Sequence, residues 1–273
     1  MTSHEKLEQL KANLASLGGV VVAFSGGVDS TFLLKVAYDV LGDRAVAVTA
    51  RSSTYPEREY REATAFVERL GARQITITSE ELEIEGFSKN PVNRCYYCKK
   101  ELFLKILDIA NELGIPSIAD GSNVDDTCDY RPGMLALKEL GIQSPLKVAG
   151  MTKEDIRILS REMHLPTWDK PAYACLASRF PYGQEITKEK LGMIDQAEQF
   201  LLDHGFRQVR VRCHGDVARI EVPAEDRARL LDLELAQSVY DAFKKIGFSY
   251  VSLDLLGYRM GSMNETLQGN QTE

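Results

Sequence analysis

The sequence contains no apolar run of the about 18 residues that a membrane-spanning helix requires, and residues 1–6 begin no apolar segment of the secretory type. We therefore expect a cytoplasmic protein with no membrane partner. The formal net charge of −7 argues against a broad nucleic-acid surface and leaves room only for a local basic cleft. At 273 residues, of which 44% are hydrophobic, the chain can form one large or two ordinary domains.

Two common nucleotide-binding motifs are also missing, the Walker A pattern G-x-x-x-x-G-K-[ST] and the dinucleotide pattern G-x-G-x-x-G. In their place, S-G-G-V-D-S-T at residues 25–31 stands between an apolar β-branched segment at 19–24 and a helix-like segment at 32–37. Glycines let the backbone approach a phosphate closely, and the first-turn N–H groups of a helix favour negative charge. The residues assigned to the nucleotide here are Ser25, Gly26, Gly27, Asp29, Ser30 and Thr31.

The pattern S-G-G-x-D-S-T resembles the pyrophosphate loop, or PP-loop, of ATP pyrophosphatases. These enzymes cleave ATP between the α and β phosphates and adenylate an oxygen of a substrate. The resemblance implies that ATP is the bound nucleotide. We assign Asp29 to catalysis as well as to nucleotide binding.

Strands and helices alternate through the first half of the chain. After the strand at 19–24, we predict strands at 45–50, 73–77 and 115–119 with helices between them. This order indicates an α/β fold with a doubly wound parallel sheet. The resemblance implies that the fold is of the PP-loop (adenine nucleotide α-hydrolase-like) type. Ligands bind at the carboxyl edge of such a sheet. Ala50 and Gly121, at the ends of the second and fourth strands, therefore join the candidate nucleotide-binding residues.

Beyond Gln184 the pattern changes to α-β-β-α-β. It comprises a helix at 187–204, a hairpin of 209–213 and 217–222, a helix at 224–246 and a last strand at 250–255. We predict a PP-loop domain at 1–184, a smaller α+β domain at 185–262 and a disordered polar tail at 263–273.

Three aspartates, Asp125, Asp126 and Asp129, follow the fourth predicted strand. Mg²⁺ bound together with ATP phosphates takes one or two carboxylates plus water, which makes Asp126 a candidate Mg²⁺ ligand. A solvated helix-capping turn explains the same cluster, and the sequence leaves both interpretations open.

The five cysteines, an odd number, point to metal binding or catalysis in a reducing compartment. Cys95 and Cys98 have C-x-x-C spacing, and Cys175 lies in a stretch, 170–183, with neither helical nor strand periodicity. The spacing is compatible with a four-ligand zinc site, a dithiol redox pair, or an iron–sulfur cluster on three thiolates with one open iron. The residues leave these three hypotheses open.

Five further motifs extend the resemblance over nearly the whole chain: D-G-S-N-V-D-D, D-Y-R-P-G, C-L-A-S-R-F-P-Y-G, R-V-R-C-H-G-D-V-A-R-I-E and L-D-L-x-G-Y-R-M-G-x-M-N. Together with the PP-loop they resemble the LarE family of ATP-dependent sulfur transferases. The resemblance implies that ATP adenylates a carboxylate of pyridinium-3,5-biscarboxylic acid mononucleotide and that pyrophosphate leaves. Sulfur then replaces AMP to give a thiocarboxylate, in the biosynthesis of the nickel-pincer nucleotide cofactor.

The resemblance also assigns roles to residues. Cys175 matches the cysteine that attacks the acyl-adenylate and that, in single-cysteine members, gives up its own sulfur. Because Cys95 and Cys98 are present, the chain is similar to the three-cysteine branch. There a [4Fe-4S] cluster held by the three thiolates carries the transferable sulfur. Arg131 of D-Y-R-P-G and Arg179 join the predicted cofactor-binding residues.

Since the implied substrate is an anionic mononucleotide, arginines are candidate phosphate or carboxylate clamps. The candidates are Arg179, Arg210, Arg212 and Arg259. Arg210 and Arg212 are assigned to catalysis. Alternate positions share one face of a strand, so an exposed charged strand face is the competing interpretation of this last pair.

Two other functions remain as alternatives. The first is a PP-loop tRNA thiolase or another amide- or nitrile-forming ATP pyrophosphatase, against which the acidic net charge and the lack of an evident RNA-binding module count. The second is a non-catalytic nucleotide-binding sensor. The expected partners are the nucleotide substrate, a sulfur-supplying system and, in a homo-oligomer, further copies of the chain, because the small domain has too little chain to bury both faces of its sheet.

Overall fold

The structure is a computed structural model and describes residues 1–128, 132–259 and 261–264. Packing divides the chain into two compact units. The first comprises Met1–Ile84 and Asn93–Tyr173, and the second comprises Glu85–Val92 and the residues from Ala174 onward.

The first unit is built on a parallel sheet whose strands alternate with helices. Its strands are β1 (Val20–Ala23), β2 (Ala45–Arg51), β3 (Arg73–Thr78) and β4 (Ile118–Ala119). Its helices are α1 (Ser3–Leu17), α2 (Val28–Leu41), α3 (Glu57–Leu70), α4 (Arg94–Leu113), α5 (Gly133–Glu139), α6 (Pro145–Val148) and α7 (Lys153–Glu162). All strand pairs are parallel, in the order β3-β2-β1-β4.

Side chains of the central strands alternate between two cores. Val20 and Val22 of β1 pack with residues of α1, α2, α3 and α7. Val21 of β1, with Val46 and Val48 of β2, packs with residues of α4 and α5 on the opposite face. Helices therefore cover both faces, which confirms the predicted doubly wound parallel sheet.

The strand order shows at which edge of this sheet a ligand is expected to bind. The chain runs outward from β1 through β2 to β3 and then returns to place β4 on the other side of β1. In such sheets a crevice opens at the carboxyl ends of the two strands where the order reverses. Here those ends are followed by Ser25 and by Asp120.

The fourth strand is shorter than predicted. It spans Ile118–Ala119 instead of 115–119, because Gly114 ends α4 in the left-handed conformation and the amide of Ile115 still donates to the carbonyl oxygen of Ala110 in that helix.

The second unit contains the predicted α-β-β-α-β arrangement. Its helices are α8 (Lys188–Asp203) and α9 (Leu233–Ile246), and its strands are β5 (Arg210–His214), β6 (Val217–Glu221) and β7 (Tyr250–Leu253). The hairpin of β5 and β6 is antiparallel, and β7 pairs with β6 in parallel. Residues 263 and 264, which we had placed in the tail, belong to a 3-10 turn at Ser262–Asn264. The rest of the predicted tail lies outside the described residues.

Two elements of this unit end where polar side chains bond the backbone. The helix predicted at 224–246 is a 3-10 segment, Ala224–Leu231, followed by α9, because Asp232 has extended backbone and its carboxylate caps the amide of Leu235. The last strand stops at Leu253 because the carboxylate of Asp254 accepts the amides of Leu256 and Gly257.

The packing differs from the predicted domain boundary at 184. The loop that carries Cys175 packs with the second unit, as does the segment Glu85–Val92. Within that unit the side-chain amide of Asn90 donates to the carbonyl oxygens of Phe180 and Pro181, at 3.3 and 2.7 Å. Among the described residues, no helix is long and apolar enough to cross a bilayer.

Candidate functional site

The PP-loop leads into α2 through Gly26 and Gly27, whose backbone conformations and surroundings differ. Gly26 has φ of +65°, and a Cβ at this position would lie 2.8 Å from the Cβ of Ala63 on α3. Both the backbone conformation and the space therefore require glycine. Gly27 is the N-cap of α2 with φ of −79°, and no side chain caps the helix here. The first-turn amides of α2 are thus available to an anion.

Hydroxyl groups surround this helix end. The hydroxyl oxygens of Ser25 and Ser30 lie 3.2 Å apart, and the Ser25 amide donates to the Ser30 hydroxyl at 3.4 Å. The Thr31 hydroxyl is buried and has no hydrogen-bond partner among the described residues. The predicted phosphate-binding residues therefore lie together at the start of α2.

Asp29 lies between the helix and the loop that follows β4. One carboxylate oxygen accepts from the side-chain amide of Asn123 at 3.3 Å, and the other accepts from the ammonium of Lys153 at the start of α7. A Cβ on Gly121 would lie 3.1 Å from the Ser30 amide nitrogen, so glycine lets the β4 loop approach α2. Ala50 is the next-to-last residue of β2, the neighbour of β1. The structure thus brings Asp29 and Gly121 together at the predicted edge.

The aspartates near this edge are engaged with polar groups of the first unit. The carboxylate of Asp126 accepts the Asn123 amide at 3.0 Å, and that of Asp125 accepts the Lys153 amide at 2.7 Å. Asp120 is buried and accepts from the hydroxyls of Ser122 and Ser144. The bonds of Asp125 and Asp126 fit the capping interpretation of the acidic cluster. Asp129 and Arg131 lie outside the described residues.

Cys95 and Cys98 lie three residues apart near the start of α4, Cys95 in its first turn and Cys98 at the beginning of the second, and both belong to the first unit. Cys95 is exposed, whereas Cys98 is half-buried with its sulfur 3.9 Å from a carboxylate oxygen of Glu81. Burial raises the pKa of Glu81, although a hydrogen bond from Ser52 opposes the change. Positions near a helix N-terminus favour thiolates. The described residues include no group of three or more Cys, His, Asp or Glu placed to hold a metal ion.

Cys175 lies in the second unit, at the start of a 3-10 turn, Leu176–Arg179, and is exposed. Arg179 is fully buried and holds this turn. Its guanidinium donates to the carbonyl oxygens of Ala174 and Cys175 at 2.8 and 3.2 Å. The same group forms a bidentate pair with Glu198 of α8, at 2.8 and 2.9 Å.

The buried pair has electrostatic and functional consequences. Burial opposes ionisation of Glu198, but the charge of Arg179 outweighs it and lowers the pKa of the carboxyl. All three nitrogens of the Arg179 guanidinium donate to groups of the second unit, which suits fixing the Cys175 turn better than clamping a substrate.

Arg210 and Arg212 share a face of β5 and are both buried, so the exposed-face interpretation does not describe them. The guanidinium of Arg212 donates to the Ser178 carbonyl oxygen at 2.7 Å and to Glu221 at 2.9 Å. Burial and the charge of Arg179 lower the pKa of Arg210 to about 10, and its guanidinium carbon lies 5.3 Å from the centre of the Tyr258 ring.

A pocket of about 130 Å³ opens beside Arg212 within the second unit. Within the described residues, the buried Nε atoms of Arg212 and Arg219 have no hydrogen-bond partner. Burial and these two guanidinium groups lower the pKa of His214 at the pocket wall. The pocket is lined by Ser178, Arg179, Phe180, Pro181, Arg212, His214, Arg219, Ser262 and Met263. Its cationic lining suits a small anion such as a phosphate or a carboxylate.

Several residues of these sites were missed by the sequence analysis. The sequence predicted Lys153 only as part of a helix cap. The cap is present, because Thr152 and Asp155 form a capping box at the start of α7, but the pair of Lys153 with Asp29 was not predicted. Glu198 did carry a signal, because it stands at i+7 from Leu191 and i+4 from Ile194 on the apolar face of α8. A charged residue at such a position needs a buried partner.

Comparison with known proteins shows which proteins the chain is similar to. Residues 4–92 match the NAD synthase family. The pyridinium-3,5-bisthiocarboxylic acid mononucleotide synthase of Lactiplantibacillus plantarum is 41% identical over 264 residues, which cover 96% of this chain and 95% of that protein. The chain belongs to the LarE family. An uncharacterized protein of Synechocystis is similar at 44% identity over 96% of this chain and 98% of its own length.

Membership in the LarE family identifies the chain as a PP-loop enzyme, since the named relative is a synthase. A tRNA-specific 2-thiouridylase of Azorhizobium caulinodans matches less of the chain, at 30% identity over 56% of this chain and 48% of that protein. The LarE resemblance therefore extends over both units, whereas the tRNA-modifying relative matches only part of the chain.

Proposed function

We propose that the protein is an ATP-dependent sulfur transferase that converts a carboxylate of pyridinium-3,5-biscarboxylic acid mononucleotide into a thiocarboxylate, with release of AMP and pyrophosphate. The observation that carries this proposal is the near full-length similarity to a synthase of the bisthiocarboxylic product. The PP-loop geometry and the cationic pocket of the second unit support it independently.

In the first step, a substrate carboxylate oxygen attacks the α-phosphorus of ATP, and the bond to the β-phosphate breaks. The uncapped amides of α2 and the hydroxyls of Ser25 and Ser30 are placed to bind the phosphate oxygens. Asp29 supplies a carboxylate for Mg²⁺, the ion that travels with ATP phosphates. Lys153, which pairs with Asp29, offers a cation to the departing pyrophosphate.

The second unit supplies groups for the anionic substrate. In both Arg212 and Arg219, one guanidinium nitrogen donates to the carboxylate of Glu221, and this bond fixes the side chain. The Nε atom of each arginine is buried and has no hydrogen-bond partner among the described residues. Such a group is positioned by the protein and retains a donor for a ligand. We assign the phosphate of the mononucleotide to this pocket.

The thiols fit the chemistry of sulfur transfer. Among the described residues Cys95, Cys98 and Cys175 form no disulfide bond, and three thiolates are a donor set of the kind that holds an iron–sulfur cluster. In that arrangement the three cysteines are the ligands, and the cluster would supply the sulfur that replaces AMP. The alternative uses Cys175 itself as the sulfur donor. Its turn is anchored by Arg179 in either case.

The proposal is tested with purified protein, ATP, Mg²⁺ and the biscarboxylic mononucleotide. We expect pyrophosphate release only when the carboxylate substrate is present, followed by AMP and a thiocarboxylate detected by mass spectrometry. Unmodified tRNA serves as the matched control substrate. Pyrophosphate release driven by tRNA in place of the mononucleotide would contradict the proposal, and so would ATP binding without turnover of any carboxylate.

We also propose that the protein is a homo-oligomer that contacts its copies through the second unit. In that unit Leu233, Leu255 and Leu256 are 85%, 84% and 69% exposed, and exposed apolar side chains that form a patch mark protein–protein contact surfaces. Light scattering at micromolar concentration is expected to give a mass of at least two chains. The variant Leu255→Asp should lower that mass, and a monomeric wild-type protein would contradict the proposal.

A further inference from the structure

Two consecutive carbonyl groups of the PP-loop each accept a hydrogen bond from a side chain of the first unit. The hydroxyl of Tyr55 donates to the carbonyl oxygen of Ser25 at 2.8 Å. The ammonium of Lys170 lies 3.4 Å from the carbonyl oxygen of Gly26. Both bonds are made from outside the loop, by residues that lie C-terminal to it in the chain.

These carbonyl contacts determine where the amides point. Across a trans peptide, the C=O of one residue and the N–H of the next point in opposite directions. The Gly26 N–H therefore points away from Tyr55, and the Gly27 N–H points away from Lys170. Within the described part of the chain, neither amide donates a hydrogen bond to a protein acceptor. Both donors are oriented and available.

Helix α3 holds this arrangement in place. Tyr55 immediately precedes Pro56, the N-cap of α3, and Ala63 on the same helix packs against Gly26. Lys170 is fixed between two carboxylates of α3, with its nitrogen 2.8 Å from Glu59 and 2.7 Å from Glu62.

Both side chains are protonated at neutral pH and so can donate. Burial, together with the charges of Glu59 and Glu62, raises the pKa of the Tyr55 hydroxyl. Burial lowers the pKa of Lys170, but the same two carboxylates outweigh this effect and raise it overall.

We propose that Tyr55 and Lys170 are positioning residues that fix the Ser25–Gly26 and Gly26–Gly27 peptide planes, so that the two glycine amides face the phosphates of ATP. This inference rests on the proposed function in one respect, namely that the PP-loop binds the phosphates of ATP. It adds two residues, outside the S-G-G-V-D-S-T motif, to the phosphate-binding apparatus.

The test compares two tyrosine variants that lose the same kind of bond. Tyr55→Phe removes the hydroxyl that holds the loop. The control, Tyr38→Phe, removes a hydroxyl that donates to the Gly71 carbonyl oxygen at 3.1 Å, away from the loop. Affinities for ATP, inorganic pyrophosphate and adenosine are measured by calorimetry, and thermal unfolding is followed for each protein.

We expect Tyr55→Phe to weaken pyrophosphate and ATP binding by about three- to tenfold, the effect of one hydrogen bond of ordinary net strength. Adenosine carries no phosphate, so its affinity should not change. Tyr38→Phe should bind all three ligands as the wild type does. Unchanged pyrophosphate affinity in folded Tyr55→Phe would overturn the role of Tyr55, and so would an equal loss for adenosine.

Lys170→Met gives an independent measurement. It removes the contact to Gly26 and also the ammonium that pairs with Glu59 and Glu62 near the loop, so we expect a larger loss of pyrophosphate affinity than in Tyr55→Phe. Wild-type affinity in this variant would remove Lys170 from the proposal. If the wild-type protein itself binds neither ATP nor pyrophosphate, the proposed function fails, which distinguishes that outcome from failure of the positioning residues.

Discussion

At the scale of single residues, the pair formed by Arg179 and Glu198 joins the stability of the second unit to the position of Cys175. Both side chains are fully buried. Removing one partner of such a pair leaves an uncompensated charge in the interior. We expect Arg179→Met to destabilise the protein by about 3–5 kcal/mol, measured by urea unfolding. Arg61→Met, which removes an exposed partner of Glu57, should cost at most about 1 kcal/mol.

The same pair predicts a pH dependence. The pKa of Glu198 is lower in the folded state than in the unfolded chain. Its stabilising contribution is therefore complete above the unfolded value of about 4.3 and is lost as the pH falls through the folded value. The difference in the free energy of unfolding between wild type and Arg179→Met should therefore be largest at neutral pH and should decrease as the pH falls into the acid range. A difference that stays constant through this range would contradict the assignment.

Asp29 carries a second prediction at this scale. Its carboxylate lies in the first turn of α2 and pairs with Lys153. The neutral amide of an asparagine at this position would attract Mg²⁺ far less than the carboxylate does. We expect Asp29→Asn to fold normally but to bind ATP, in the presence of Mg²⁺, at least about tenfold more weakly than the wild type does. Asp39→Asn on the same helix, which removes an exposed pair with Lys35, is the matched control. Equal ATP binding by Asp29→Asn with and without Mg²⁺ would support the assignment, and a wild-type Mg²⁺ response would contradict it.

At the scale of elements, the two neighbouring glycines of the turn between β1 and α2 are expected to respond differently to substitution. Gly26→Ala combines a left-handed backbone with a contact of 2.8 Å to Ala63, so we expect destabilisation of about 1–3 kcal/mol. Gly27 has ordinary φ, and the nearest atom to a Cβ there is 3.6 Å away. Gly27→Val should therefore keep the fold while filling the phosphate space and abolishing ATP binding. Thermal unfolding and ATP titration separate the two effects, and undiminished ATP affinity in Gly27→Val would remove the phosphate-loop assignment.

Elements of this kind were predictable because their causes are local. The apolar strand, the Gly-Gly turn and the apolar helix face of α2 follow one another in the sequence, and periodicity located them. The bonds that orient the loop are not local, since Tyr55 and Lys170 are 30 and 144 residues from their carbonyl partners. A single-sequence pattern contains no signal for such contacts. The break before α9 was missed for another reason, because the cap by Asp232 competes with a helical pattern that continues through it.

At the scale of the whole molecule, the residues proposed for the reaction are divided between the two units. The PP-loop, Cys95 and Cys98 belong to the first unit, whereas Cys175 and the arginine pocket belong to the second. These groups were predicted from the sequence, with the Cys175 loop placed in the first domain. Composition does not show which unit a non-periodic loop packs with, since that depends on long-range bonds such as those of Arg179 and Asn90.

The sulfur source is the last question at this scale, and the cysteines allow a direct test. If the three thiols hold a [4Fe-4S] cluster, Cys95→Ser, Cys98→Ser and Cys175→Ser should each lose bound iron and sulfur transfer, because ligation needs all three. Pyrophosphate release should survive in each, since it depends on the PP-loop. Cys213→Ala is the matched control, because this thiol is buried and bonds to the Gly215 carbonyl oxygen. It should retain its iron.

The alternative source gives the opposite pattern. If Cys175 donates its own sulfur, only Cys175→Ser is inactive, and the protein loses about 34 Da per turnover as the cysteine becomes dehydroalanine. Anaerobic iron and sulfide analysis, followed by intact-protein mass spectrometry before and after reaction, separates the two. An unchanged mass after several turnovers favours the cluster. A stoichiometric loss at Cys175 in iron-free protein rules it out, because thiolates that ligate iron are not free to be consumed.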